Sequence, residues 1–423
     1  MKRLIKNGLV YKDGKFIQND IFIDSKQLYL AETIDLEADE VIDASGMHII
    51  PGLVDVHVHL REPGFEYKET IKTGSESGVK GGYTTLMCMP NTNPKIDSEE
   101  TMLRVLDIIK KDSLLKIVPY SCISIDSKGK EFVDYKTMSK YTFAFTDDGF
   151  GVQNDEFMEE AILKIKECNG LLVVHSEDER EIKPKASIHD GFKAKELNVV
   201  GINSASEYLQ VERDLKLVRK HNIQYHVCHV STKETVELIR QAKKEGLNVS
   251  CEVTPHHLLL DESDVINHGN YKMNPPLRTK EDREALIEGI LDNTIEVIAT
   301  DHAPHSKEEK DTDLTNAPFG IVGLETSFGL LYSKFVKTNI ITLEKLVDLM
   351  SYNPANIFGL DAGEIENFTN ANIAIFNLKD NEKITENNLV SKSKNTPFIN
   401  YHMQAINYMT IVDGEIVYRK KGF

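Results

Sequence analysis

Residues 52–60 read GLVDVHVHL, a largely apolar run that ends in His57 and His59. A strand that is apolar on both faces is typical of a parallel sheet covered on both sides. The turn REPG (61–64) follows at once and places the cation of Arg61 beside the two histidines. This stretch therefore predicts a buried strand with functional residues at its end.

Seven further apolar, β-branched runs follow, at 83–90, 115–122, 141–147, 170–177, 223–230, 247–254 and 295–301. Amphipathic helical patterns lie mostly between them, at 98–111, 155–168, 205–221, 232–245 and 280–291. Eight strands that alternate with helices predict a closed α/β barrel of the (β/α)8 TIM type. Periodicity alone leaves an open doubly wound sheet as the alternative.

Both ends of the chain have a different pattern, of short strands joined by turns. The segment YMTIVDGEIVYRK near the C-terminus contains an Asp-Gly hairpin signal. We predict that residues 1–50 and 363–423 together form a small β-sandwich domain. Residues 51–362 would then form the barrel.

The composition excludes several classes of protein. The formal net charge is −17, which argues against a nucleic-acid surface because such a surface needs a basic stripe. No run of 18 apolar residues exists, so no membrane span is expected. The five cysteines are scattered, and the N-terminus lacks the apolar run of a signal peptide, so we expect reduced thiols in a cytoplasmic protein.

Polar side chains recur where the predicted strands end. They are His57, His59, Asn91, Asp147, Asp148, His175, His229 and Asp301. In a barrel of this type the active site lies at the carboxyl ends of the strands. Each histidine alone would more often be a core residue, but a carboxylate that closes an apolar strand is costly unless paired or metal-bound. Four His and two Asp at equivalent strand ends suit zinc or a similar divalent ion.

Neighbouring residues on a strand face opposite ways, so only one of Asp147 and Asp148 is expected to reach the ion. Asp148 precedes Gly149, and Asp147 would cap the turn or orient a ligand. We expect His226 and His302 to pack against or orient the ligands. His256 and His257 are tandem, so they cannot both point into the site.

The resemblance to a known family rests on the following motifs, taken in this order: DVHVHLREPG, MPNTNP, FTDDG, VVHSED, HVCHVST, CEVTPHH, YKMNPPLR, ATDHAPH and APFGIVG. Over essentially the whole chain, the sequence resembles the dihydroorotases of the amidohydrolase superfamily, above all the bacterial metal-dependent type called class I. The resemblance implies a (β/α)8 barrel with a composite β-sandwich.

The resemblance also assigns residues. It implies one metal on His57, His59 and Asp301, and a second on His175 and His229, with Asp148 as the bridging ligand where many relatives use a carboxylated lysine. It implies one or two Zn²⁺ per chain. The substrate-binding residues that it implies are His59, Arg61, Asn91, Asn274, His305, Phe319 and Gly320.

The implied reaction is the reversible hydrolysis of (S)-dihydroorotate to N-carbamoyl-L-aspartate in pyrimidine (UMP) biosynthesis. A divalent ion lowers the pKa of a bound water towards ~7 and polarises the amide carbonyl. The resulting hydroxide attacks the ring, and Asp301 is the expected general acid and base. Arg61 would pair with the substrate carboxylate; a surface ion pair with Glu62 or a neighbouring residue is the alternative.

Two other functions stay open. One is another cyclic-amide hydrolase, such as a hydantoinase or allantoinase, which would favour Lys over Asp148. The other is a catalytically silent partner of aspartate transcarbamoylase, which should have lost metal ligands. A homodimer is the expected assembly, and an association with aspartate transcarbamoylase is left open. The long polar segment 302–320 follows the last strand, and we expect it to act as a lid.

Overall fold

The computed structural model describes all 423 residues. Its strands are β1 (Lys2–Lys12), β2 (Lys15–Asp24), β3 (Gln27–Ala31), β4 (Glu40–Asp43), β5 (His48–Pro51), β6 (Leu53–Val58), β7 (Tyr83–Cys88), β8 (Lys116–Pro119), β9 (Ala144–Phe145), β10 (Leu171–Val174), β11 (Ile188–His189), β12 (Gly201–Ile202), β13 (Tyr225–Val227), β14 (Val249–Val253), β15 (Val297–Ile298), β16 (Ile373–Lys383), β17 (His402–Val412) and β18 (Glu415–Arg419). Its α-helices are α1 (Ile71–Gly81), α2 (Glu99–Asp112), α3 (Tyr135–Met138), α4 (Asp155–Glu167), α5 (Phe192–Leu197), α6 (Ala205–His221), α7 (Lys233–Lys244), α8 (Pro255–Leu259), α9 (Lys280–Leu291), α10 (Lys307–Lys310), α11 (Ser327–Leu331), α12 (Leu343–Val347) and α13 (Asn353–Ile357).

Eight parallel strands form a closed barrel. Strands β6, β7 and β8 make one arc, and β9, β10, β13, β14 and β15 make the other. Parallel bridges between Ser121 and Phe145 and between Val58 and His302 join the two arcs on both sides. The closure confirms the predicted TIM-type barrel and excludes an open sheet. All eight strands lie inside the predicted runs, and the five predicted helices are present to within a residue of their predicted ends.

Burial on both faces explains the continuous apolar strands. In β10, Leu172 and Val174 pack in a cluster of 60 buried residues that also contains helical side chains. The alternate residues Leu171 and Val173 belong to a separate cluster of 13 residues, most of which lie in barrel strands or directly after them. Each strand therefore needs apolar side chains at successive positions, as a parallel barrel requires.

Local capping sets where the long helices begin. The side chains of Ser98, Asn154, Thr232 and Thr279 each accept a hydrogen bond from the backbone N–H three residues later. Such N-caps satisfy one of the donors left free in the first helical turn and are worth about 1 kcal/mol each. The polar residues that follow each strand therefore lie in loops that end where a capped helix begins.

The two ends of the chain combine in one eight-stranded sheet, in the order β18-β17-β16-β5-β1-β2-β3, with β4 beside β1. Strand β16 runs antiparallel to β5, and Ile375 lies opposite Ile49. The predicted Asp-Gly hairpin is present, with positive φ angles of 47° at Asp413 and 80° at Gly414. Fourteen buried apolar residues form this sheet's own core. The exact domain boundaries stay a prediction.

None of the helices is both long and apolar enough to cross a bilayer.

Candidate metal and substrate site

A cavity of about 340 Å³ opens at the carboxyl ends of the barrel strands. Eleven predicted site residues line it: His59, Arg61, Asn91, Asp148, His175, His229, Asn274, Asp301, His305, Phe319 and Gly320. His57 lies directly beneath them and is fully buried. A larger cavity, of about 530 Å³, adjoins it behind His305 and Lys310 but contains none of the predicted metal ligands.

His57, His59 and Asp301 converge on one point although Asp301 is distant in sequence. Oδ1 of Asp301 lies 2.9 Å from Nε2 of His59 and 3.5 Å from Nε2 of His57. All three side chains are buried. The arrangement brings two imidazole nitrogens and one carboxylate oxygen within the span of a single ion.

Asp148 lies between this group and the two remaining histidines. Its Oδ1 is 3.3 Å from Nε2 of His57, and 3.9 Å from both Nδ1 of His175 and Nε2 of His229. Burial alone would raise the pKa of Asp148, but the neighbouring His57, His59 and His175 hold it well below its usual value. The carboxylate therefore stays ionised at the place where a bridging ligand would lie.

The donor atoms fit a divalent metal. Nε2 of His57 and Oδ1 of Asp148 are buried and have no hydrogen-bond partner, an arrangement that is costly unless a ligand completes it. Burial and the neighbouring imidazoles of His175 and His57 lower the pKa of His229, so its ring is neutral. Neutral imidazoles and ionised carboxylates are the forms that bind metals.

Asp147 takes a different role from Asp148, as expected for adjacent residues. Its carboxylate accepts hydrogen bonds from the backbone N–H groups of Ile123 and Ser124 at 2.8 and 3.0 Å and from the Ser124 hydroxyl at 2.5 Å. Asp147 thus ties two barrel loops together, while Asp148 alone faces the cavity.

The guanidinium of Arg61 lies at the cavity wall without a carboxylate partner. Its Nε donates to the carbonyl of Pro304 at 3.0 Å, and burial lowers its pKa to about 10. Glu62 does not pair with it, because the Glu62 carboxylate accepts from the backbone N–H of Ile71 at 2.9 Å. The surface ion pair considered from the sequence is therefore absent, and the cation is free to receive an anion.

His305 lies between the cationic side chains of Lys68 and Arg61. Nζ of Lys68 lies 3.0 Å from its Nδ1, and the carbonyl of Phe319 lies 2.7 Å from its Nε2. An ammonium only donates, so Nδ1 accepts and Nε2 carries the proton. Burial and the nearby charges of Arg61 and Lys68 lower the pKa of His305, which keeps the ring neutral.

The two predicted asparagines already have partners in the site. Asn91 donates to Oδ2 of Asp148 at 3.1 Å, and its Oδ1 is 3.0 Å from Nδ1 of His59. Asn274 donates to the carboxylate of Glu177, which also lies 3.1 Å from Nε2 of His175. Both amides therefore orient expected metal ligands, and their substrate contacts stay a prediction.

Comparison with known proteins agrees with this geometry. Residues 46–235 match the model of the dihydro-orotase-like family. The dihydroorotase of Fusobacterium nucleatum subsp. nucleatum is 47% identical over 420 residues, covering 99% of both chains. That of Lactobacillus leichmannii is 46% identical over 427 residues, covering all of both chains. The chain belongs to the dihydroorotase family.

Solved structures place the family fold among cyclic-amide hydrolases. The L-hydantoinase (dihydropyrimidinase) of Arthrobacter aurescens superimposes with a TM-score of 0.90 at 26% identity, covering 99% of this chain and 96% of its own. The dihydroorotase relatives are thus much more similar in sequence than this structural neighbour. The chain is a cyclic amidohydrolase by family, and its ligand set suits a metal site.

The backbone is strained at three site residues of this family member. Arg61, His229 and Asp301 have φ angles of 63°, 30° and 48°, in the left-handed region that non-glycine residues rarely adopt. Each such residue costs on the order of 1–3 kcal/mol and persists only where its surroundings hold it. The strain coincides with two expected metal ligands and the expected substrate anchor.

The remaining histidines take supporting positions. Nε2 of His226 lies 3.2 Å from the carboxylate of Glu252, and Nδ1 of His302 accepts from the backbone N–H of Gly323 at 3.2 Å. His257 bonds the carbonyl of Pro275 at 3.0 Å. Neither His256 nor His257 lines the cavity.

Reasoning from the sequence missed Glu252. This glutamate lies inside strand β14, and its carboxylate is 2.5 Å from Nδ1 of His57. Burial would raise its pKa, but His57 and His226 lower it to about 2, so the carboxylate is ionised. The signal was present in LNVSCEVT (247–254), because a charge inside an apolar strand is as costly as the one at Asp301.

The segment 302–320 is packed onto the barrel mouth. Lys310 is almost wholly buried, and its Nζ donates to the carbonyls of Lys272, Pro318 and Gly320 at 3.1, 2.9 and 2.7 Å. Burial and the charge of Lys272 lower the pKa of Lys310 to about 7. These bonds position the stretch that lines the cavity, while movement of the segment as a lid stays a prediction.

Proposed function

We propose that this chain is a dihydroorotase that hydrolyses (S)-dihydroorotate reversibly to N-carbamoyl-L-aspartate in pyrimidine biosynthesis. The observation that carries the proposal is the partly buried Arg61 guanidinium, which faces the cavity beside six potential metal ligands and has no carboxylate partner. A cation in that position suits a substrate that carries a carboxylate next to its cyclic amide. Relatives at 46–47% identity over the full chain are named dihydroorotases.

The proposed cofactor is zinc, in one or two sites per chain. His57, His59 and Asp301 would hold one ion, and His175 and His229 the other, with Asp148 between them. Imidazole nitrogens and carboxylate oxygens are ligands that zinc accepts. A divalent ion in this position supplies Lewis-acid polarisation of the amide carbonyl and acidifies a water molecule.

Asp301 is the proposed general acid and base. Its carboxylate lines the cavity, and its Oδ1 lies 2.9 Å from Nε2 of His59. From this position it can hold a proton close to the reacting atoms. It takes a proton from the attacking water as the new C–O bond forms. It then returns that proton to the ring nitrogen as the C–N bond breaks. The cycle leaves Asp301 ionised and the product neutral at the former amide nitrogen.

Arg61 and His305 are the proposed carboxylate anchors. Arg61 can donate two parallel hydrogen bonds to a carboxylate, and such a pair fixes orientation as well as affinity. Nε2 of His305 lies 3.2 Å from Nη2 of Arg61, so the two side chains line the same part of the cavity. His305 would turn its Nε2–H from the carbonyl of Phe319 to the substrate carboxylate. Asn91 would hold the same carboxylate, and Asn274 and the backbone at Phe319 and Gly320 would bind the ring amide groups.

The two alternative functions, another cyclic-amide hydrolase and a catalytically silent partner, predict different residues in the site. A hydantoinase or allantoinase has less use for Arg61, and the resemblance leads us to expect a lysine in it where this chain has Asp148. A silent partner of aspartate transcarbamoylase should have lost ligands, whereas all six converge here. A homodimer, binding to aspartate transcarbamoylase and a cytoplasmic location also stay predictions.

Substrate preference is the direct test of the proposed function. Purified protein should turn over dihydroorotate far faster than hydantoin or allantoin, with metal content determined on the same sample. Faster turnover of hydantoin would favour the first alternative. Bound metal without turnover of any of the three substrates would contradict the proposal, and protein with neither metal nor activity would favour the silent partner.

Replacing Arg61 with Met should weaken substrate binding far more than metal binding. Loss of a hydrogen bond to a charged group costs about 1.5–3 kcal/mol, so we expect KM for dihydroorotate to rise roughly 10- to 100-fold. Steady-state kinetics and metal analysis measure the two effects separately. Arg104→Met, on the exposed face of α2, is the matched control. An unchanged KM in R61M would mean that the carboxylate is held elsewhere.

A further inference from the structure

Glu252 is a buried carboxylate that the reaction itself does not use. Only 1% of its surface is exposed, and it lies below the cavity rather than in its wall. No lysine or arginine pairs with it; its partners are imidazoles and a backbone N–H. A charge in the barrel interior without a cation from Lys or Arg is expensive, so its contacts should explain why it is there.

Those contacts join two of the expected metal ligands. Oε1 lies 2.5 Å from Nδ1 of His57 and accepts from the backbone N–H of His229 at 3.3 Å. Oε2 lies 3.2 Å from Nε2 of His226, whose Nδ1 is 2.8 Å from the hydroxyl of Ser250. One carboxylate thus connects strands β6, β13 and β14 immediately beneath the site.

We propose that Glu252 is a positioning residue of the metal centre, and this inference rests on the metal-dependent function proposed above. By accepting the Nδ1 proton of His57, Glu252 selects the tautomer whose free Nε2 faces Asp148 and Asp301. The same carboxylate holds the backbone at His229, where φ is 30°. A carboxylate behind a ligating histidine fixes the ring orientation and makes it a stronger ligand.

A competing arrangement uses the opposite side of the same ring. Nδ1 of His57, the sulfur of Cys228 and the carboxylate of Glu252 also lie within 4.8 Å of one another and could themselves bind an ion. In that case Glu252 would be a ligand and Cys228 would be required. Cys228 therefore distinguishes the two arrangements, because our proposal gives its sulfur no part in metal binding.

Zinc affinity of the metal-free full-length protein tests the proposal. We expect Glu252→Gln to weaken zinc binding about 10- to 100-fold, the usual effect of losing such a partner. The dissociation constant is measured by competition with a chromophoric chelator, and the unfolding temperature of the metal-free protein is measured alongside. Asp214→Asn is the matched control, since Asp214 is a fully buried carboxylate that bonds Arg213 and Tyr225 rather than a ligand.

The proposal is supported if E252Q binds zinc weakly while D214N and Cys228→Ser bind it like the wild type. It is overturned if E252Q keeps wild-type affinity, or if C228S weakens binding as much as E252Q does. Should E252Q fail to fold, Glu252→Asp decides by the same criteria, because it keeps the charge but withdraws it from His57. Wild-type protein that binds no zinc would overturn the proposed function as well, whereas an active, zinc-binding wild type with an unaffected E252Q would overturn this inference alone.

Discussion

Asp301→Asn is expected to lower kcat for dihydroorotate about 10²- to 10⁴-fold, the usual contribution of a positioned general acid and base. The amide that replaces the carboxylate cannot take the proton from the attacking water or return it to the ring nitrogen. It keeps the size of the side chain, and its oxygen can still lie near Nε2 of His59, 2.9 Å away in the wild type. Steady-state assays in both reaction directions measure the loss.

Metal content separates the two roles of Asp301, since it is both an expected ligand and the expected proton carrier. The proton role predicts that D301N loses turnover even in samples that retain metal. The buried Asp214, which has no contact with the site, gives the matched control D214N with near-normal turnover. Turnover within tenfold of the wild type in metal-loaded D301N would assign the proton transfer to another group.

Removal of the metal is expected to abolish turnover and to lower the unfolding temperature. Without an ion, Nε2 of His57 and Oδ1 of Asp148 lie buried with no hydrogen-bond partner, and nothing would acidify the attacking water. An ion that binds only the folded chain stabilises it by about 4 kcal/mol when its free concentration is 1,000 times Kd. Dialysis against a chelator, followed by activity and thermal unfolding measurements, tests both effects.

Adding metal back to the chelator-treated protein is the second half of that experiment. Added Zn²⁺ should return both activity and thermal stability, and magnesium should not, because magnesium prefers all-oxygen sites. Dialysis in the same buffer without chelator is the control for losses during handling. Full activity in protein shown to contain no metal would contradict the proposed mechanism.

The barrel could be predicted because its signals are local. A run such as LLVV in β10 is apolar at every position since both of its faces are covered, and that pattern is visible without any partner strand. Helix starts such as Ser98 and Thr279 are likewise set by residues only three positions apart. The metal ligands followed from the same logic, because the carboxyl ends of the barrel strands meet at one face.

The hydrogen bonds between those ligands and the residues around them could not be predicted from local sequence patterns. Asn91 lines the cavity, and its amide is also hydrogen-bonded to His59 and Asp148. Glu252 is 195 positions from His57 and meets it only when the barrel closes. Neither contact has a periodicity or a spacing that would reveal it in one sequence.

The amino-acid sequence by itself determined the (β/α)8 architecture, the pairing of both termini and the identity of the six candidate metal ligands. These features depend on hydrophobic period and on which residue ends each strand, and both are properties of short segments. Only the tertiary structure decided which backbone groups Asp147 binds, which tautomer Lys68 imposes on His305, and that the Glu252 carboxylate lies 2.5 Å from Nδ1 of His57. The physical reason is that hydrogen bonds act over about 3 Å, so their partners are settled only when barrel closure brings distant strands and their side chains together.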